Sequence, residues 1–112
     1  MKKVRIGGTF YELEFKDGLY VGDKKVSGYI NYSDGQIRVD SNLPHVSLEE
    51  TIVHEIIHGI ETEYELDLEE RDVKCLARGF INVMIDNEGL MAQILKDVRK
   101  KVKQHEEAKD GK

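Results

Sequence analysis

Apolar positions change period once along this chain, near residue 45. Before it, Val4 and Ile6 alternate with charged neighbours, and Tyr11, Leu13 and Phe15 do the same within "FYELEFKDGLYV". A period of two is the mark of a half-buried strand. "KDG" and "SDG" supply turn chemistry, because Gly18 and Gly35 can take positive φ. "KKVSGYINY" and "GQIRVD" read as two further strands, with Ile37 and Val39 on one face of the last. "SNLPH" then breaks the pattern at the only proline, Pro44.

From Ser47 the period becomes helical. "SLEE" has the spacing of a capping box, in which Ser47 and Glu50 each satisfy the other's backbone N–H. Leu48, Ile52, Ile56 and Ile60 recur every four residues, and Val53 and Ile57 widen that stripe, predicting a largely buried helix to about Tyr64. A second helix opens at the acid-rich "DLEE" from Asp67. Val73, Leu76, Ala77, Phe80, Val83 and Met84 carry it to about Asp86. "LMAQILKDVRKKVKQ" is a third amphipathic helix, fraying into "HEEAKDGK". Strands first and helices afterwards predict an α+β fold, a small N-terminal antiparallel sheet packed on two or three helices. The reading is a single domain over residues 1–112, mainly β over 1–46 and mainly α over 47–110.

At 112 residues the chain can bury one modest core. No uncharged apolar run is long enough to span a bilayer, and the basic start "MKK" has no apolar stretch behind it. The expectation is a protein that stays in the cytoplasm, off the membrane. The single cysteine, Cys75, excludes an internal disulfide and a cysteine-based zinc cluster, and reads as a small packing residue. The net charge of −5 is uneven: residues 47–90 hold 12 acidic and 3 basic side chains, whereas 91–112 hold 7 basic and 4 acidic. An acidic centre is a poor footprint for nucleic acid, so the basic "KDVRKKVK" is read as a solvated helix end.

The chemistry sits in the first helix. In "HEIIH" the imidazoles of His54 and His58 lie four residues apart on one helical face, where both can reach a single ion. Glu55 is about 100° further round, placed to contact a water on that ion and take its proton. This is the spacing of metal-assisted hydrolysis. Two histidines on a buried helix also need a polar partner. The acid cluster Glu69, Glu70 and Asp72 follows at a suitable distance, and two histidines with one carboxylate leave a fourth position open for water.

"TIVHEIIHGI" resembles the extended zincin pattern. "LEERDVKCLARGF" is similar to the second helix of small gluzincin-type metallopeptidases of phages and mobile elements, and "GYINYSDGQIRVDSNLP" is similar to the strand pair that leads into their metal helix. The resemblance covers roughly residues 28–87. It implies a zincin-like fold, a bound Zn2+ and hydrolysis of a peptide or protein substrate with Glu55 as general base. It also implies an acidic third ligand on the second helix. Glu70 matches that position best beside His54 and His58, with Glu69 and Asp72 in reserve. Peptidases of this kind use a donor at the oxyanion, for which Tyr29, Tyr32 and Tyr64 are available, and the "GQIRVD" strand is the candidate edge for pairing with an extended substrate. The alternative is a zinc-binding interaction module of the same fold without proteolytic activity.

Overall fold

A computed structural model describes residues 2–110, apart from the side chains of residues 45, 46 and 106–110. The chain separates into two compact units, Met1–Ile81 and Asn82–Lys112, and the boundary falls inside a helix.

The first unit contains a four-stranded sheet in the order β1-β2-β6-β5, where β1 is Lys2–Ile6, β2 Thr9–Lys16, β5 Gly28–Asn31 and β6 Gln36–Asp40. A separate small hairpin joins β3 (Tyr20–Val21) to β4 (Lys24–Lys25). The run "KKVSGYINY" is thus two strands, not one. The turn glycines behave as their chemistry demands, with φ of 73° at Gly18 and 63° at Gly35. The sheet is mixed rather than wholly antiparallel. β1–β2 and β5–β6 are antiparallel, but β2 and β6 run parallel, with Leu13 opposite Ile37 and Phe15 opposite Val39. The hairpin and β5 occupy the connection over residues 17–35, and that length lets the chain return in the same direction.

This topology also corrects the expected docking edge. β6, the "QIRVD" strand, is interior, flanked by β2 and β5, so its backbone groups are already paired. The outer strands are β1 and β5. Ile37 and Val39 of β6 are fully buried together with Ile6, Tyr11 and Leu13. Burying each large apolar side chain of this kind contributes about 1.5–3 kcal/mol.

Helix α1, His45–Glu63, covers the inner face of the sheet through Leu48, Ile52 and Ile56. Val53 and Ile57 lie on an adjacent stripe and meet Val73 and Ala77 of α2, Glu70–Asp86. The apolar stripe read from the sequence is therefore split between two neighbours, and most of the helix is half-buried rather than fully buried. The capping box does not form. Pro44 precedes the helix with φ −55° and ψ 149°, and the Leu48 N–H already donates to its carbonyl at 2.9 Å. Ser47 is consequently inside the first turn, where its carbonyl accepts the Thr51 hydroxyl at 2.7 Å. Glu50 receives Arg78 at 3.0 Å instead.

In α2 only Val73 and Ala77 are buried. Leu76, Phe80, Val83 and Met84, although helically spaced, are exposed, and so is Cys75. The second unit holds the end of α2 and α3, Glu88–Asp110. They are separated by Asn87, whose backbone N–H and side-chain amide both donate to the Val83 carbonyl at 3.0 Å. α3 continues through "HEEAKD" to Asp110, and the last two residues of the expected fray lie outside the described residues. Among the described residues no helix is long and apolar enough to cross a membrane.

One close approach fixes α1 against the sheet. A Cβ on Gly28 would sit 2.7 Å from Thr51 Cγ2, 3.0 Å from the Arg38 carbonyl and 3.6 Å from Glu55 Cγ. Only a residue without a side chain lets β5 lie this near the helix. Gly28→Ala should destabilise the protein by about 1–3 kcal/mol in urea unfolding. Adding Thr51→Ser, which removes Cγ2, should recover part of that loss, whereas an unchanged loss would place the clash at the Arg38 carbonyl.

Candidate metal centre

α1 carries His54, Glu55, His58 and Glu61 on the side left free by its two packing stripes. The helix ends at Tyr64, and Glu65 takes a left-handed φ of 56° that no glycine announces in the sequence. Its turn is closed by the Leu66 N–H, which donates to the Glu61 carbonyl at 2.8 Å. The chain reverses over residues 64–69 and delivers Glu70, the first residue of α2, over the two histidines.

There the Glu70 carboxylate bridges both rings. Oε1 is 2.7 Å from His54 Nε2 and Oε2 is 3.0 Å from His58 Nε2, while the two Nε2 atoms are 3.2 Å apart. His54, His58 and Glu70 form a group that could hold a metal ion. Glu70 is thus the acid brought to the pair. Glu69 instead precedes α2 and accepts the Val73 N–H at 3.1 Å through its carbonyl, and Asp72 is exposed in the first turn. His105 is exposed within α3, and the His45 side chain lies outside the described residues.

Burial lowers the pKa of His54, an effect that Glu70 opposes and that His58 and Lys74 reinforce. A neutral imidazole keeps the lone pair that a metal needs. Glu55 is 6% exposed, and burial pushes its carboxyl up to about 7, with His58 pulling it down and Glu70 pushing it further up. A carboxyl that titrates near neutrality can both take and return a proton.

Glu61 is the member of this cluster that spacing alone did not single out. Its Oε1 is 2.8 Å from His58 Nδ1, and its Oε2 accepts the Leu68 N–H at 3.0 Å. The Leu68 N–H chiefly, and His58 secondarily, hold this carboxyl below the usual carboxylate range. With Nδ1–H donating to Glu61, the lone pair of His58 is on Nε2, facing Glu70 and His54. The available signal was its position three residues after His58, where side chains on one helix meet.

Two of the three candidate tyrosines have hydrogen-bond partners. Tyr29 accepts the Arg38 guanidinium at 2.7 Å, Tyr32 donates to the His58 carbonyl at 3.1 Å, and Tyr64 is exposed at the end of α1. The cleft beside the metal group is lined instead by Ser27 and Gly28 of the β5 side, Glu55, and Lys74 and Arg78 of α2.

Set beside known proteins, the chain matches no family model, no curated protein and no solved structure.

Two outcomes follow from this geometry. Glu61→Gln should weaken Co2+ binding, read from visible absorption, by roughly 10–100-fold while leaving the fold intact. In metal-free protein the folded chain keeps a proton on Glu55 up to about pH 7, whereas the unfolded chain releases it near 4.5. Stability from this source is therefore full below pH 4.5 and falls by roughly 2–3 kcal/mol as the pH rises to 7. Glu55→Gln should remove that slope, and urea unfolding in chelator at pH 5 and pH 8 compares it with the parent. A parent–variant difference that does not change with pH would contradict the assignment.

Proposed function

We propose that this chain is a zinc-dependent metallopeptidase of the small zincin kind, with His54, His58 and Glu70 as metal ligands and Glu55 as general base. The observation that carries the reading is the convergence of two imidazoles and one carboxylate, supplied by two helices, next to a second and buried carboxylate. Zinc bonds of about 2.0–2.1 Å at tetrahedral angles set ligand atoms about 3.3 Å apart. The two Nε2 atoms are 3.2 Å apart, close to that spacing, and with one oxygen taken from Glu70 the three ligand atoms lie within 4.8 Å of one another.

Zinc held there would act as a Lewis acid and bring the pKa of water toward about 7. The residues of the chain divide the remaining work. His54 and His58 present Nε2, the latter oriented by Glu61. The Glu55 carboxylate accepts a proton from the attacking water and returns it to the departing amine. β5 is the outer strand beside Glu55, so an extended peptide would add along it and lie across the site. This reading supports a role in cutting a protein or peptide, and it agrees with the zincin resemblance of "TIVHEIIHGI" and "LEERDVKCLARGF".

Protein purified without added metal should contain close to one zinc per chain, measured by atomic emission. Glu55→Gln should keep the zinc and lower hydrolysis of a mixed peptide substrate by about 10²–10⁴-fold. Undiminished hydrolysis in that variant would remove the mechanism. Full zinc content with no hydrolysis by the parent would leave the interaction module.

A further inference from the structure

Residues 47–90 contain 12 acidic side chains and only three basic ones, Arg71, Lys74 and Arg78. Two of those three line the cleft beside the metal group, and the β3–β4 hairpin contributes Lys24 to the same cleft. The scarce cations of an acidic segment are therefore gathered where a substrate would enter. On α2, residues 70, 74 and 78 follow one another at one-turn intervals. The ligand Glu70 is followed along its own stripe by two positive charges.

These charges are not equally free. Arg78 Nε lies 3.0 Å from Glu50 Oε1 and is neutralised there. Among the described residues Lys24 and Lys74 have no carboxylate within salt-bridge distance. Lys74 has Glu70 four residues before it, the ordinary helical partner, but Glu70 turns both oxygens to the histidines. Lys74 is near enough to His54 to weigh against its protonation. Of the two other carboxyls lining the cleft, Glu50 is paired with Arg78 and Glu55 is buried.

We propose that the cleft selects peptides through a carboxylate, held by the Lys74 and Lys24 ammonium groups beside the bond to be cut. The choice of a peptide as ligand rests on the metallopeptidase reading; the preference for an anion rests on the cleft. The carboxylate comes from an Asp or Glu side chain or from the peptide's own C-terminus, and the chemistry of capture is the same. The acidic charge elsewhere on the unit does not cancel it, since exposed charges more than about 8–10 Å away are screened at physiological salt. Exposed ammonium–carboxylate pairs contribute roughly two- to fivefold each, so the pair of lysines should give about tenfold selectivity.

The test uses full-length, zinc-loaded Glu55→Gln protein, immobilised and equilibrated with two random hexapeptide libraries, one with free C-termini and one amidated. Retained peptides are read by mass spectrometry. Enrichment of Asp and Glu by about tenfold in the amidated library identifies a side-chain carboxylate. Preference for free over amidated termini, without residue enrichment, identifies the terminal one. Either must vanish when Lys24→Ala and Lys74→Ala are combined. Retained peptides with the composition of the input, enrichment of basic or apolar residues, or acidic enrichment that survives the double substitution would each overturn the proposal. Cleavage by the parent is scored separately. Efficient cutting of peptides without any carboxylate preference would sink the subsite and leave the peptidase, while acidic enrichment without cutting would do the reverse.

Discussion

Everything at the candidate metal site depends on one apolar contact between helices. Ile57 of α1 is buried with Val73 and Ala77 of α2, with Val53 and Leu68 packed against them. That small cluster sets the distance between the helices, and hence the reach of Glu70 to the histidines. On α1 the sheet takes Leu48, Ile52 and Ile56, α2 takes Val53 and Ile57, and the stripe that remains carries His54, Glu55, His58 and Glu61. Three separate demands on one helix explain why so much of it is half-buried, and why its polar residues have defined partners.

Burial then does chemical work. His54 and Glu55 are neighbours in sequence and respond to the same loss of water in the same sense, toward neutrality: an imidazole that sheds its proton and a carboxyl that keeps one. Neither shift is available to these side chains on a solvated helix. Gly28 belongs to this account as well, because the absence of a side chain there allows β5 to press against Thr51 and Glu55 and close off solvent.

Much of this was legible in the residues. The change of period marked the passage from strands to helices, Gly18 and Gly35 marked their turns, and the spacing of His54 and His58 marked the pair. What escaped has physical causes. Ser47 and Glu50 have capping-box spacing, but Pro44 offers its carbonyl three residues earlier and starts the helix there. Strand direction is set by the long connection over residues 17–35, and alternation of side chains is the same for either direction. Leu76 and Phe80 obey helical spacing and are exposed nonetheless, since periodicity identifies a face and not its cover. In the sequence only the resemblance prefers Glu70 to Glu69 and Asp72; physically, the reversal through left-handed Glu65 carries its carboxylate over the imidazoles.

The two oxygens of Glu61 have different clients: one holds the ring of His58, the other the backbone of Leu68 in the turn that leads to Glu70. A single carboxylate thus ties the orientation of one candidate ligand to the path of the chain that delivers another. Thermodynamic reciprocity makes this a two-way coupling. Whatever order an ion imposes on the imidazoles is returned as order in residues 64–69, and any change in the length or stiffness of that turn is felt as a change in affinity at a site it does not touch.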